Sequence, residues 1–220
     1  MGGTLENRRE ELVDRLMSWG YLKTPGIIDA FRKVPRHEFI PEDLRESAYL
    51  DQPLPIGRGQ TISAPSMVAI MLEVLQPKAG QKVLEIGAGS GYNAALIAEI
   101  IGERGQLYTI ERLENIAEFG RNNLKKTDYG RVKVIVGDGT LGYEKAAPWD
   151  RVLVTACAPE VPKPLVDQLK IGGRLAAPVG RHYMAQTLVS VEKVSERKTL
   201  AQRHGGCSFV PLVGKYGWKE

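Results

Sequence analysis

Gly87, Gly89 and Gly91 in EIGAGSGY lie between a short apolar run and a helical pattern. A glycine turn there lets the backbone approach a ligand closely, with the unpaired N–H groups of a helix start behind it. Glu111 ends the next apolar run, QLYTIE, where a carboxylate can accept from two ribose hydroxyls. Asp138 and Gly139 end the one after, VKVIVGDGT, where an acid can accept from the exocyclic amine of an adenine and backbone can meet the ring nitrogens. Glu85, just ahead of the turn, is a further candidate, either as a ligand contact or as an acid that organises the loop. Together these positions suit an adenosine-bearing ligand. The dinucleotide fingerprint needs its third glycine at position 92, which is Tyr92, so a nicotinamide dinucleotide is disfavoured.

A second group precedes the turn. GRGQTISAP, residues 57–65, offers two hydroxyls, Thr61 and Ser63, one amide and a single charge, Arg58. The other reactive types are dispersed. His37, His182 and His204 form no pattern and read as structural or surface residues, and Cys157 and Cys207 lack metal-ligand spacing. Cys157 reads as a small buried filler.

The elements that position these residues follow from periodicity. Residues 5 to about 18 carry Leu5, Leu12, Val13, Leu16 and Met17 on one helical face, and a second helix is predicted over 25–34 between Pro25 and Pro35. The stretch from Arg36 to Pro65 is rich in proline and glycine and reads as a long loop with short helical turns, a type of segment that is often functional. A helix is expected after Pro65. Strands and helices then alternate: KVLEI, NAALIAEII, QLYTIE, LENIAEFGRNNLKK, VKVIVGD, RVLVTA, PKPLVDQL, GRLAAPVG and AQTLVSVEKV. Such alternation with buried strands predicts an α/β, Rossmann-like three-layer sandwich with a mostly parallel sheet and an N-terminal helical extension. One domain over 1–220 is expected, with 1–65 as the extension carrying the loop and 66–220 as the core and C-terminal segment.

Composition limits the function classes. The 220 residues are 43% hydrophobic, enough for one core, and 30 Lys and Arg against 26 Asp and Glu leave a dispersed charge of +4. No basic face with interleaved aromatics announces RNA. The N-terminus has no apolar signal segment and no apolar run reaches membrane-spanning length, so a cytoplasmic chain is expected.

Glu85, the glycine turn, Glu111 and Asp138 together resemble the S-adenosylmethionine site of Rossmann-like methyltransferases. That resemblance implies S-adenosyl-L-methionine as donor and S-adenosyl-L-homocysteine as product, without a metal. Among acceptors, a carboxylate is already ionised at neutral pH, its pKa lying near about 3 to 4, and needs no base. Sulfonium and carboxylate neutralise each other as the transition state forms, so neutral donors that orient the oxygen serve better than a charged clamp. Proximity and alignment can supply much of roughly 7 to 11 kcal/mol. The loop GRGQTISAP suits that task, and Ser63 is the chosen candidate to face the donor methyl. The alternatives are a methyltransferase acting on RNA or a small molecule, and a noncatalytic sensor, which would lack a constructed acceptor loop.

DQPLPIGRGQTISAPSMVAIMLE, VLEIGAGSGYNAALIA, YTIER, GDGTLG, WDRVLVTACAP, LKIGGRLAAPVG and FVPLVG resemble the protein-L-isoaspartate (D-aspartate) O-methyltransferase family from about residue 25 to the end. The resemblance implies methylation of the free α-carboxyl of isoaspartyl residues, which arise when Asn deamidates or Asp isomerises through a succinimide. The ester then collapses to succinimide and part returns to aspartate. It implies Ser63 as the active-site serine, Gly87, Gly89 and Gly91 as the donor turn, Glu111 as the ribose acid, and Asp138 with Gly139 on the adenine side. Thr61, Ile62 and Ala64 are implied to line the acceptor peptide, with Val210, Pro211 and Leu212 near it. The implied partners are isoaspartyl proteins and peptides, with no nucleic acid or membrane and a monomeric enzyme. Cys157 departs from the small Gly or Ala expected there, and the first twenty residues match less clearly.

Overall fold

The computed structural model describes residues 3–181 and 185–219. Helix α1 (Leu5–Ser18) starts where the Thr4 hydroxyl accepts from the N–H of Asn7, and it buries Leu12, Val13 and Leu16 against α2 (Pro25–Lys33). Short 3-10 turns follow at Arg36–Phe39 and Glu42–Ser47. Next, where the sequence reads as loop, the chain forms an antiparallel hairpin, β1 (Leu54–Gly57) and β2 (Gln60–Ile62). Gly57 pairs with Gln60 across a two-residue turn whose central residues, Arg58 and Gly59, have φ of 53° and 72°. That mirror-image turn matches the twist of a hairpin.

Helix α3 (Pro65–Leu75), opened by a proline in its first turn, leads into the alternating region. Its elements are β3 (Lys82–Ile86), α4 (Tyr92–Ile101), β4 (Gln106–Glu111), α5 (Glu114–Lys126), β5 (Lys133–Val136), β6 (Trp149–Val154), α6 (Lys163–Asp167), β7 (Leu169–Gly180), β8 (Gln186–Ser195) and β9 (Lys198–Cys207). The sheet order is β5-β4-β3-β6-β7-β8-β9; β5 through β7 are parallel, and β8 and β9 add an antiparallel meander. Alternate residues of the central strands serve different cores. Val83, Leu153 and Ala176 pack with α1 to α5, whereas Leu84, Ile86, Val152, Val154 and Leu175 pack with Trp149 and Leu165 of α6.

Strand β3 has β4 on one side and β6 on the other, so the connections diverge at its carboxyl end. Open α/β sheets leave a ligand crevice at such a switch point. The C-terminal segment closes over that end. Cys157 N–H donates to Val210 O at 2.7 Å and Leu212 N–H donates to Cys157 O at 2.8 Å, a strand-like splice onto the loop after β6.

Candidate active site

The turn after β3 depends on its three glycines for different reasons. All have positive φ, +96°, +52° and +86° for Gly87, Gly89 and Gly91. A Cβ on Gly87 would lie 2.4 Å from Thr155 Oγ1, which donates to the carbonyls of Ile86 and Gly87 and ties β6 to the turn. A Cβ on Gly91 would meet Gly120 O and Leu124 Cγ at 2.9 Å. Gly91 therefore serves the packing of α4 on α5, and Gly87 and Gly89 form the wall of the crevice.

Glu111 stands at the same edge. Its Oε2 accepts from the N–H of Gly89 and its Oε1 from the N–H of Leu113, both at 3.1 Å, which fixes the carboxylate at the mouth of the cavity it lines. Gly139 lines the cavity too, and a side chain there would strike Ile86. Asp138, expected on the adenine side, is engaged by the chain itself. It is outside the cavity lining, its Oδ1 accepts from Thr140 N–H and hydroxyl, and its Oδ2 accepts from Lys215 N–H at 2.8 Å. Its carboxylate thus caps the turn Gly139–Leu141 and anchors the C-terminal segment.

Glu85 is set deeper still. It is fully buried and lines neither cavity; Oε2 accepts from the Thr109 hydroxyl at 2.6 Å and Oε1 has no partner. Burial pushes its pKa up to about 8, the Thr109 hydrogen bond opposes this and the charge of Glu111 adds to it. Of its two possible roles, organising the loop agrees with this position.

The hairpin supplies the facing wall. Gln60 and Thr61 line the first cavity with Val210, Pro211 and Leu212; Thr61, Ile62 and Ser63 line an adjoining one. The two cavities share Thr61, Gly87, Gly89 and Thr155, so the hydroxyl-bearing loop and the glycine turn meet. Ala64 caps α3 and lines neither. Val210 to Leu212 lie on the glycine-turn cavity, away from Ser63's own.

Among the lining residues that escape the sequence reading are Thr155 and Asn93. Thr155 directly follows strand β6, and its position at a carboxyl end of the sheet is the signal that could have found it. Asn93, in the first turn of α4, lines the Ser63 cavity and buries an Oδ1 without a partner. The histidines have other roles. Buried His37 shares a 2.7 Å hydrogen bond with Tyr49 Oη, and His204 shares one of 2.7 Å with Ser190 Oγ; His182 lies outside the described residues. Cys157 and Cys207 are free thiols, both pushed up by burial. Among the described residues no cluster of His, Cys, Asp or Glu could hold a metal ion.

Residues 7–217 match the family described as "Protein-L-isoaspartate(D-aspartate) O-methyltransferase". The protein-L-isoaspartate O-methyltransferase of Methanopyrus kandleri is 59% identical over 213 residues, covering 96% of this chain and 94% of the relative. That of Staphylothermus marinus is 51% identical over the whole of both chains. A solved protein-L-isoaspartate O-methyltransferase superposes with a TM-score of 0.85 at 30% identity, over 95% of this chain and 67% of the other. A Plasmodium falciparum structure described as the same kind of enzyme, in complex with S-adenosyl-L-homocysteine, gives 0.83 at 26% identity, over 93% and 98%.

Proposed function

This chain belongs to the protein-L-isoaspartate(D-aspartate) O-methyltransferase family, and on that premise we propose that its hairpin β1–β2 presents the acceptor carboxylate, with Ser63 as the active-site serine. The activity is S-adenosylmethionine-dependent methylation of the free α-carboxyl of isoaspartyl residues in damaged proteins, the first step of repair through ester and succinimide.

The crevice fits the donor: Gly87, Gly89 and Gly139 present bare backbone to the cavity, and the fixed Glu111 carboxylate suits a pair of ribose hydroxyls. When bound, the donor supplies an electrophilic methyl on its sulfonium. Gly87, Gly89, Glu111 and Gly139 hold it, and Val210 to Leu212 cover it from the C-terminal side. Ser63 donates its hydroxyl hydrogen to the acceptor carboxylate and turns one oxygen toward the methyl; no base is needed because the acceptor is already ionised. Thr61, Ile62 and the Ala64 backbone read the peptide chain. Small neutral residues there admit many flanking sequences, through strand-like backbone pairing. The observation that carries this reading is the set of residues common to both cavities, which brings the Ser63 loop to the glycine turn.

We infer a reducing cytoplasm, in which Cys157 and Cys207 stay thiols. There the enzyme acts as a monomer on isoaspartyl proteins and peptides, without nucleic acid or membrane. The roles separate by experiment. Ser63→Ala is expected to lower kcat by about tenfold or more and leave S-adenosyl-L-homocysteine affinity unchanged by calorimetry, whereas Glu111→Ala weakens that affinity by about tenfold. Equal losses of turnover and donor affinity in both variants would contradict the assignment.

A further inference from the structure

Arg36 is fully buried, and among the described residues it makes no ion pair. Arginine is almost never found in that state, because removing a charge from water is costly unless a partner compensates. Its Nε donates to Ala48 O at 2.9 Å and its Nη2 to Ser63 O at 2.8 Å, while Nη1 is buried without a partner. The guanidinium lies 5.1 Å from the ring centroid of Tyr92, itself a wall of the Ser63 cavity. Asp51 is the carboxylate whose charge reaches it, but Asp51 spends Oδ1 on the N–H of Ser66 at the start of α3. Burial pushes the guanidinium pKa down to about 10, which leaves it charged at neutral pH.

We propose that Arg36 is a positioning residue that holds the acceptor loop by the Ser63 carbonyl and draws the substrate carboxylate toward Ser63 with a charge that no ion pair holds. The inference rests on the reading of Ser63 given above. A guanidinium donating to the Ser63 carbonyl polarises the peptide joining Ser63 to Ala64 and strengthens its N–H as a donor. The charge acts from behind the loop and in a low-dielectric setting, so it attracts the anion without clamping the reacting oxygen. Such an effect belongs to acceptor binding more than to the methyl-transfer step, in which the carboxylate loses its charge.

The test uses an isoaspartyl peptide and its neutral α-carboxamide twin, the twin measured as an inhibitor of methyl transfer. The wild-type enzyme is expected to bind the carboxylate at least about tenfold more tightly than the carboxamide. In Arg36→Gln the peptide KM rises about tenfold, the preference for carboxylate collapses toward one, and S-adenosyl-L-homocysteine affinity stays within about twofold; Arg36→Lys recovers part of the preference. Equal binding of the twins by the wild-type enzyme would overturn the proposal even if no variant folds. A preference unchanged in Arg36→Gln, or donor affinity falling with peptide affinity, would overturn it too. Ser63→Ala run in parallel separates the two claims. If Ser63→Ala leaves peptide turnover intact, the reading of the loop fails; if it impairs turnover while Arg36 variants keep the preference, only the role of Arg36 fails.

Discussion

Glu85 and Gly91 occupy motif positions where a ligand contact is the natural expectation, and both are spent on the protein's own structure. Because the pKa of Glu85 is raised from 4.5 to about 8, the folded protein holds a proton that the unfolded chain releases between those values. The stability that the neutral acid contributes is complete below about 4.5 and is lost as pH rises through about 8. Glu85→Gln keeps an oxygen for the Thr109 hydroxyl and cannot ionise. Its Tm is therefore expected to match the wild type near pH 5 and to exceed it by about 3 °C or more at pH 9; a Tm difference independent of pH would contradict the burial of an ionisable group. Gly87→Ala places a methyl against Thr155 Oγ1 on a backbone at φ +96°, and donor affinity measured by calorimetry is expected to fall at least about tenfold. The cavity lining was legible in the sequence where residue type and strand end coincide, as at Glu111, Gly87 and Gly139. It was not legible where a side chain's partners come from distant chain: nothing local tells that Asp138 is engaged by Lys215, or that Gly91 makes room for Leu124.

Among the elements, the hairpin β1–β2 decides how the proposed acceptor loop stands. Arg58 is exposed, outside both cavities, and its φ of 53° is a conformation Asn tolerates and Pro cannot reach. Arg58→Asn is expected to keep wild-type kinetics, while Arg58→Pro loses peptide turnover by about tenfold or more and retains donor binding. Loss of turnover in Arg58→Asn would assign the charge a role that the geometry denies it. Strands β3, β4 and β6 were legible because burial on both faces gives continuous apolar runs. β9 was not: KTLAQRHGGC lies almost entirely exposed at the sheet edge and needs no hydrophobic alternation. β1 and β2 are too short to show a period, and their turn is coded by glycine alone.

For the whole molecule, distant parts of the chain meet around the two adjoining cavities: the hairpin, the turn after β3, the end of β4, the residue after β6 and the C-terminal segment. The splice of Cys157 with Val210 and Leu212 makes that last segment part of the wall. A chain ending at Ser208 is expected to lose S-adenosyl-L-homocysteine affinity by about tenfold or more, because the cavity opens and Leu212 leaves the core beneath it; undiminished affinity would remove the segment from the donor site. Carboxyl chemistry at the Ser63 loop is tested by methyl transfer from radiolabelled S-adenosylmethionine to two peptides of identical composition, one isoaspartyl and one aspartyl. The expected result is base-labile methanol release from the isoaspartyl peptide alone, reduced at least about tenfold by Ser63→Ala while donor binding persists. Equal labelling of both peptides, or labelling indifferent to Ser63→Ala, would contradict it.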